Sequence, residues 1–402
     1  MIRVKQAAIL VGGRGTRLGS IAAHTPKPLL EIAPGVRFLD VVLDQVARYG
    51  FTDIVLLAGH LGDRVEALYH GGRLRDATVN VVREPEPAGT GGALTFAGDL
   101  LDRWFLMANG DSHFDINLRA LATGPLTDSL GRLALREVPD VSRYGSVELA
   151  GDRVVAFREK SSEGSRSGLI NGGVYLLNRE ILQHVRAPCS LELETFPLLA
   201  QAGLLTGMHF SGYFLDIGTP DSFKQAAKEL PGRIVRPAAF LGRDVVLNVD
   251  IGEAPRLEGL SWVRGAREAI LELNDAGYLV FVTTNDGASR GEYSEVKMTA
   301  FHARMQDELA AIGAHIDGFY LCPPHEDATI ESDGAAGHPD RTPNPGMILR
   351  AMREWPVDRE RSFLIGHRNS DLEIAQRAGL RGLLFQGGDL QRLTDATLIQ
   401  TA

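Results

Sequence analysis

The sequence predicts an α/β protein made of two successive domains, and three observations carry that expectation. Short β-branched and aliphatic runs alternate with longer amphipathic stretches, the pattern of βαβ units around a mainly parallel sheet. The alternation begins again near residue 236. The 402 residues also exceed what one hydrophobic core usually organises.

In chain order, strands are expected near 6–11, 53–58, 79–83 and 104–109, with helices near 37–49, 61–69 and 91–101 between them. The second series has strands near 236–241, 278–284, 317–321, 361–365 and 381–385 and helices near 264–276, 292–313, 345–354 and 370–378. Between the two lies 230–238, where Pro231-Gly232 and Pro237 interrupt a helical stretch. Placing the boundary there gives domains 1–232 and 236–402. No fixed period relates the two series, so they read as a fusion of unlike domains.

Composition narrows the partners. With 42 Lys+Arg against 51 Asp+Glu the formal charge is −9, which disfavours nucleic acid and anionic membrane and leaves small anions to a local basic pocket. Cys189 and Cys322 are far apart and form no CxxC, so a disulfide framework or thiolate zinc site is not expected and a reducing cytoplasm fits. No run reaches the roughly 20 apolar residues of a membrane span, and no cleavable leader is read at the N-terminus. Oligomeric state is not readable, and a homo-oligomer is compatible with these features. Lysine occurs only at positions 5, 27, 160, 224, 228 and 297, so each one merits inspection.

The first strand runs into Gly12-Gly13-Arg14-Gly15-Thr16-Arg17-Leu18, followed by Pro26-Lys27-Pro28. Closely spaced glycines let backbone N–H groups wrap anionic oxygens, and Arg17 and Lys27 supply charge. No Gly-Lys-Ser/Thr follows, so this is not a Walker loop. A structural turn is the alternative for the glycines alone. The prolines are expected to keep Lys27 out of a helix and to present it from a rigid loop. Asp111, at the end of an apolar strand, falls where ligands bind open α/β sheets.

Together, GGRGTRL and PKPLLEI resemble the signature of the sugar-phosphate nucleotidylyltransferases. Four later segments fit that resemblance: Glu84-Pro85-Glu86-Pro87-Ala88-Gly89-Thr90-Gly91-Gly92; Asn109-Gly110-Asp111; Phe157-Arg158-Glu159-Lys160 with Asn171-Gly172-Gly173-Val174-Tyr175; and Tyr213-Phe214-Leu215-Asp216-Ile217-Gly218-Thr219-Pro220. The resemblance implies a Rossmann-like, GT-A-like domain and transfer of a nucleotidyl group from a nucleoside triphosphate to a sugar 1-phosphate. It implies that Gly12, Gly13, Gly15, Thr16 and Gly89 bind the nucleotide. Arg17, Lys27 and Lys160 would be catalytic, Asn109, Glu159, Lys160, Asn171 and Gly172 would bind the sugar phosphate, and Asp111 and Asp216 would ligate Mg2+. The segment is most similar to heptose 1-phosphate and mannose 1-phosphate guanylyltransferases, which favours GTP and D-glycero-D-manno-heptose 1-phosphate.

Residues 236–402 resemble the heptose-bisphosphate and histidinol-phosphate phosphatases of the haloacid dehalogenase-like (HAD-like) superfamily, which implies a Rossmannoid fold. The family's F-L-D-R-D-G reads Phe240-Leu241-Gly242-Arg243-Asp244-Val245, so the nucleophile's place is glycine. Thr284 and Asn285 match the phosphate-binding motif. Thr342 replaces the family's lysine, and His367 replaces one metal carboxylate while Asp371 remains. Cys322, His325 and His338 are remnants of a zinc loop and read as ordinary loop residues ahead of a metal site. The expectation is a degenerate site. The alternatives are a phosphatase whose Asp244 activates water directly, a bifunctional enzyme, and a nucleotide-binding regulator.

Overall fold

A computed structural model describes residues 4–13, 15–124, 126, 128–141, 146–158, 167–249, 260–284, 295–321 and 344–401. The chain forms two compact units that divide between Gly232 and Arg233.

The first unit is organised by a ten-stranded sheet. Its spatial order is Ser146–Ala150, Arg153–Arg158, Leu205–His209, Gly131–Val138, Gly168–Asn178, Trp104–Asn109, Gln6–Leu10, Asp53–Ala58, Ala77–Arg83 and Arg73–Leu74. The four strands Trp104–Asn109, Gln6–Leu10, Asp53–Ala58 and Ala77–Arg83 are mutually parallel. Beyond them the expectation of a mainly parallel sheet fails: Gly168–Asn178 runs antiparallel both to Trp104–Asn109 and to Gly131–Val138. Among the described residues no helix separates Gly131–Val138 from Gly168–Asn178, and the antiparallel pairing of these strands needs no right-handed crossover. The core under the sheet includes Ala8, Leu57, Phe105, Met107, Leu133, Leu135, Tyr175 and Phe196.

From Gln6–Leu10 the chain builds outward to Asp53–Ala58 and Ala77–Arg83, then returns to place Trp104–Asn109 on the other side of Gln6–Leu10. That reversal opens a crevice beyond the C-terminal ends of the strands, where open α/β sheets bind ligands.

Two expectations about prolines are corrected. Pro231-Gly232 does not break the helix, which runs from Pro220 to Ile234 with Pro231 inside it. Lys27 is not kept out of helical structure either: Lys27–Leu29 form one 3-10 turn, with Pro28 in the first turn, where a missing N–H has no partner to lose. The helix expected over 91–101 is Gly89–Phe96 followed by a 3-10 turn, Gly98–Leu100.

The second unit has a five-stranded, wholly parallel sheet ordered Gly318–Leu321, Leu279–Thr284, Arg236–Gly242, Val357–Gly366 and Arg381–Leu384. Its central strands, Leu279–Thr284 and Arg236–Gly242 with the second half of Val357–Gly366, are buried on both faces, as parallel strands require. Alternate residues feed two cores, Ala239, Leu241, Val280, Val282 and Phe363 on one side and Ala238, Phe240, Phe281 and Leu364 on the other.

Candidate active site

In the first unit, the parallel strands end at a cleft of about 540 Å3. Each strand delivers residues to it: Gly12 and Gly13 after Gln6–Leu10, Gly59 and His60 after Asp53–Ala58, Glu84 after Ala77–Arg83, and Asn109 and Asp111 from Trp104–Asn109 and its end. Lys27, Gly89 and Thr90 also line it.

Asp111 and Asp216 are far apart in sequence and meet through a two-stranded ribbon. Tyr213–Asp216 pairs antiparallel with Ser112–Asp115, which sets Asp216 opposite Ser112, and the Ile217 N–H donates to the Asp111 carbonyl at 3.0 Å. The Lys27 ammonium, whose side chain is only 6% exposed, sits 2.7 Å from Asp111 Oδ2 and 3.6 Å from Asp216 Oδ2. Asp216 is further fixed because its Oδ1 accepts from the Gly218 N–H at 2.9 Å. Two carboxylates and one ammonium meet here, with the Arg17 guanidinium near the Asp216 loop. Among the described residues no group of three or more His, Cys, Asp or Glu side chains is placed to hold a metal. Two hard oxygen donors suit a cation that completes its shell with substrate phosphates and water.

The glycine loop is shaped by sterics. Gly15 has φ +60, and a Cβ there would lie 3.1 Å from Ala22 Cβ and 3.5 Å from Lys27 Cβ. Thr16 and Arg17 are exposed. A Cβ on Gly218 would stand 3.0 Å from Arg17 Nη2, which puts the guanidinium beside the Asp216 loop. Gly89, at φ +78, would drive a Cβ to 2.3 Å from the Cys189 carbonyl oxygen, so the Gly89–Phe96 helix can start only with glycine against that strand of chain.

A polar network lies behind the cleft. Asn171 donates to the buried Tyr175 hydroxyl at 2.8 Å, Tyr175 donates to Glu192 at 3.3 Å, and the Thr90 hydroxyl donates to Glu192 at 2.6 Å. Burial pushes the Tyr175 hydroxyl well above its ordinary range, with the Glu192 charge adding to the effect. Asn109 Oδ1 is buried without a partner among the described residues. Gly172 has a packing reason to lack a side chain, since a Cβ would stand 2.4 Å from the Phe114 ring. The sequence places Tyr175 in the Asn171–Tyr175 segment without giving it a role of its own, and it carries no local signal for Glu192, whose partner Thr90 is distant in the chain. Glu159 and Lys160 lie outside the described residues.

In the second unit, Gly242, Asp244, Thr284, His367 and Asp371 do come together around one cavity, with Arg368 and Ser370. The fully buried Arg243 guanidinium bonds Asp244, Nη2 to Oδ2 at 2.8 Å and Nε to Oδ1 at 3.0 Å. Asp371 Oδ2 accepts from the N–H groups of His367 and Arg368 at 2.9 and 3.0 Å, so this carboxylate closes the start of the helix Asn369–Ala378. Asn285, Thr342, Cys322, His325 and His338 lie outside the described residues.

With this geometry in view, comparisons with known proteins are specific. Residues 6–232 match the model of the nucleotidyl transferase family, and residues 340–400 match that of the HAD-hydrolase-like family. The chain is 33% identical over 231 residues to D-glycero-alpha-D-manno-heptose 1-phosphate guanylyltransferase of Aneurinibacillus thermoaerophilus, covering 56% of this chain and 98% of that protein. It is 44% identical over 166 residues to D-glycero-beta-D-manno-heptose-1,7-bisphosphate 7-phosphatase of Rhodopseudomonas palustris, covering 41% of this chain and 92% of that protein. The crystal structure of HddC from Yersinia pseudotuberculosis complexed with GMP-PN superposes with a TM-score of 0.50 at 29% identity, covering 56% of this chain and all of HddC.

Proposed function

This chain belongs to the nucleotidyl transferase family, and on that premise we propose that it transfers a guanylyl group from GTP to D-glycero-D-manno-heptose 1-phosphate, releasing pyrophosphate and forming a GDP-heptose. The observation that carries the reading is the buried Lys27 ammonium held between Asp111 and Asp216 at the strand ends. The guanylyltransferase relative supports the sugar and the base.

In the proposed reaction an oxygen of the sugar phosphate attacks the α-phosphorus in line. A new P–O bond forms as the bond to the bridging oxygen breaks, and that oxygen's charge leaves with pyrophosphate. No covalent protein intermediate is needed, so the chain's contribution is positioning and electrostatics. Lys27 places its charge at the α-phosphate. The loop through Gly12, Gly13, Gly15 and Thr16 offers backbone N–H groups to the outer phosphates, with Arg17 beside them. Gly89 lets the nucleoside approach the backbone. Asn109, Asn171 and Gly172, with Glu159 and Lys160, belong to the sugar-phosphate side. Asp111 and Asp216 would hold Mg2+, which when bound neutralises phosphate charge. Among the described residues no helix is long and apolar enough to cross a membrane; we assign the enzyme to the cytoplasm. The second unit, with Gly242 where the nucleophile would stand, is proposed to be catalytically inactive.

The test is a matrix of five nucleoside triphosphates against several sugar 1-phosphates with magnesium, scored for pyrophosphate. Pyrophosphate that depends on both a heptose 1-phosphate and GTP is expected; none in any combination overturns the reading.

A further inference from the structure

The Lys27 ammonium stands between the two carboxylates that suit a divalent cation. Both turn Oδ2 toward it, Asp111 at 2.7 Å and Asp216 at 3.6 Å. Asp216 has little choice of oxygen, because its Oδ1 accepts from the Gly218 N–H at 2.9 Å and a Cβ on Gly218 would stand 2.5 Å from that oxygen. Magnesium binds oxygen at about 2.0–2.1 Å. An ion held by both Oδ2 atoms would lie in the gap that Nζ fills, and two cations cannot share it.

Leaving that gap is costly for Lys27 on its own. Its side chain is 6% exposed, so an ammonium that gives up both carboxylates is a buried charge short of a counter-charge. Its backbone is fixed as well: Lys27–Leu29 form a 3-10 turn, the Leu30 N–H donates to the Lys27 carbonyl at 3.2 Å, and a Cβ on Gly15 would lie 3.5 Å from Lys27 Cβ. Only the outer carbons of the side chain are left to swing the charge. Lys27 and Asp111 both line the cleft, so a phosphate that enters it meets the ammonium. Phosphate offers Lys27 charge-assisted bonds in place of the carboxylates, which are then open to a metal.

We propose that Lys27 controls metal entry: its ammonium occupies the carboxylate pair until a nucleotide phosphate draws it away, so that a divalent cation is held tightly only with nucleotide in the cleft. The inference rests on the nucleotidyl-transfer reading and adds an order of binding to the same site. A positive charge anywhere nearby would also weaken metal binding, and Arg17 supplies the comparison. It is exposed, and its guanidinium lies beside Gly218, where a Cβ would stand 3.0 Å from Nη2.

The probe is Mn2+, which shares the preference for carboxylate and water oxygens. Its binding to the full chain without nucleotide is read from the electron paramagnetic resonance signal of the free ion. Lys27→Met should bind Mn2+ about tenfold to a hundredfold more tightly than the parent, because the lysine no longer competes for the carboxylates. Lys27→Met/Asp216→Asn should lose that gain, and Arg17→Met should change the affinity by less than about threefold, as a screened surface charge does. No gain in Lys27→Met, undetectable binding included, would overturn the inference. An equal gain in Arg17→Met would overturn it in favour of a general field. Crystals of the unaltered chain give a second reading. With Mn2+ alone the ammonium should stay between the carboxylates; with Mn2+ and a non-hydrolysable GTP analogue it should lie on a phosphate, with metal on Asp111 and Asp216. Metal on both carboxylates without nucleotide, none there with it, or Lys27 unmoved beside it would overturn the inference. Neither measurement needs turnover, so both stand apart from the pyrophosphate matrix, whose failure would overturn nucleotidyl transfer alone.

Discussion

Replacing Lys27 by methionine keeps most of the buried stem and removes only the charge. In the folded protein that charge lies 2.7 Å from Asp111 and 3.6 Å from Asp216, behind a side chain 6% exposed. Removing one fixed cation from where negative charge moves between phosphates is worth about 3–4 kcal/mol in the transition state, so kcat should fall about 10²–10³-fold. Stability should respond much less. Breaking a fully buried pair costs about 3–5 kcal/mol, but the Asp111 and Asp216 side chains are 35% and 18% exposed and keep part of their hydration. A loss of about 1–2 kcal/mol, a few degrees in Tm, is expected. The assay is steady-state pyrophosphate release at saturating substrates, with thermal unfolding in parallel. A folded Lys27→Met protein with kcat within tenfold of the parent would refute the placement of the α-phosphate at Lys27.

Three further outcomes follow from the geometry. Gly172→Ala should destabilise by about 1–3 kcal/mol, read as a lowered Tm, because the added methyl would stand 2.4 Å from a Phe114 ring already packed edge-on against Phe210 and Phe214; an unchanged Tm would contradict that packing account. His302, 8% exposed and stacked 4.0 Å from Phe319, is held neutral by burial and then by the Arg243 charge, its pKa pushed down to about 4. Its contribution to stability is therefore fully present above about pH 6.5 and is lost as pH falls toward 4, by up to roughly 3 kcal/mol. Denaturant midpoints at pH 7 and 4.5 should diverge for the parent and less so for His302→Gln; equal divergence would reject His302 as the source. Finally, the chain should release no phosphate from a heptose 1,7-bisphosphate, measured against an active phosphatase at equal concentration, and a comparable rate would overturn the assignment of the second unit as inactive.

Much of the fold was legible because the central parallel strands are short, largely apolar runs with a glycine within two residues of their ends: QAAIL, DIVLLA and WFLMAN are recognisable without partners. The antiparallel half of the first sheet was not, since Gly131–Val138 and Gly168–Asn178 acquire their meaning only from pairing across distant sequence. Pro231 misled because a proline in the last turns of a helix forfeits one hydrogen bond without ending it. Within the site, Lys27 and Asp111 announced themselves by local context. Glu192 did not, because what distinguishes it is a hydroxyl that arrives from Thr90.

The loop after Arg236–Gly242, in the unit proposed to be inactive, is held in a defined shape by its own packing. Val245 holds φ +68, a conformation that disfavours a β-branched residue by about 1–2 kcal/mol. It is fixed there because its N–H donates to the Asn248 carbonyl at 2.7 Å while Leu247 and Asn248 both donate to the Arg243 carbonyl. Arg243 in turn is wholly buried and bonds the Asp244 carboxylate through Nε and Nη2, so losing Asp244 would break a buried ion pair, a change that costs about 3–5 kcal/mol. Packing alone is thus sufficient reason for Asp244 to be present. At Gly242 no comparable demand exists: a Cβ would meet nothing closer than Val246 Cγ2 at 3.2 Å, a contact that needs only a small shift. A side chain could be accepted there, so glycine at position 242 is not a steric necessity, whereas Asp244 is the residue the core requires.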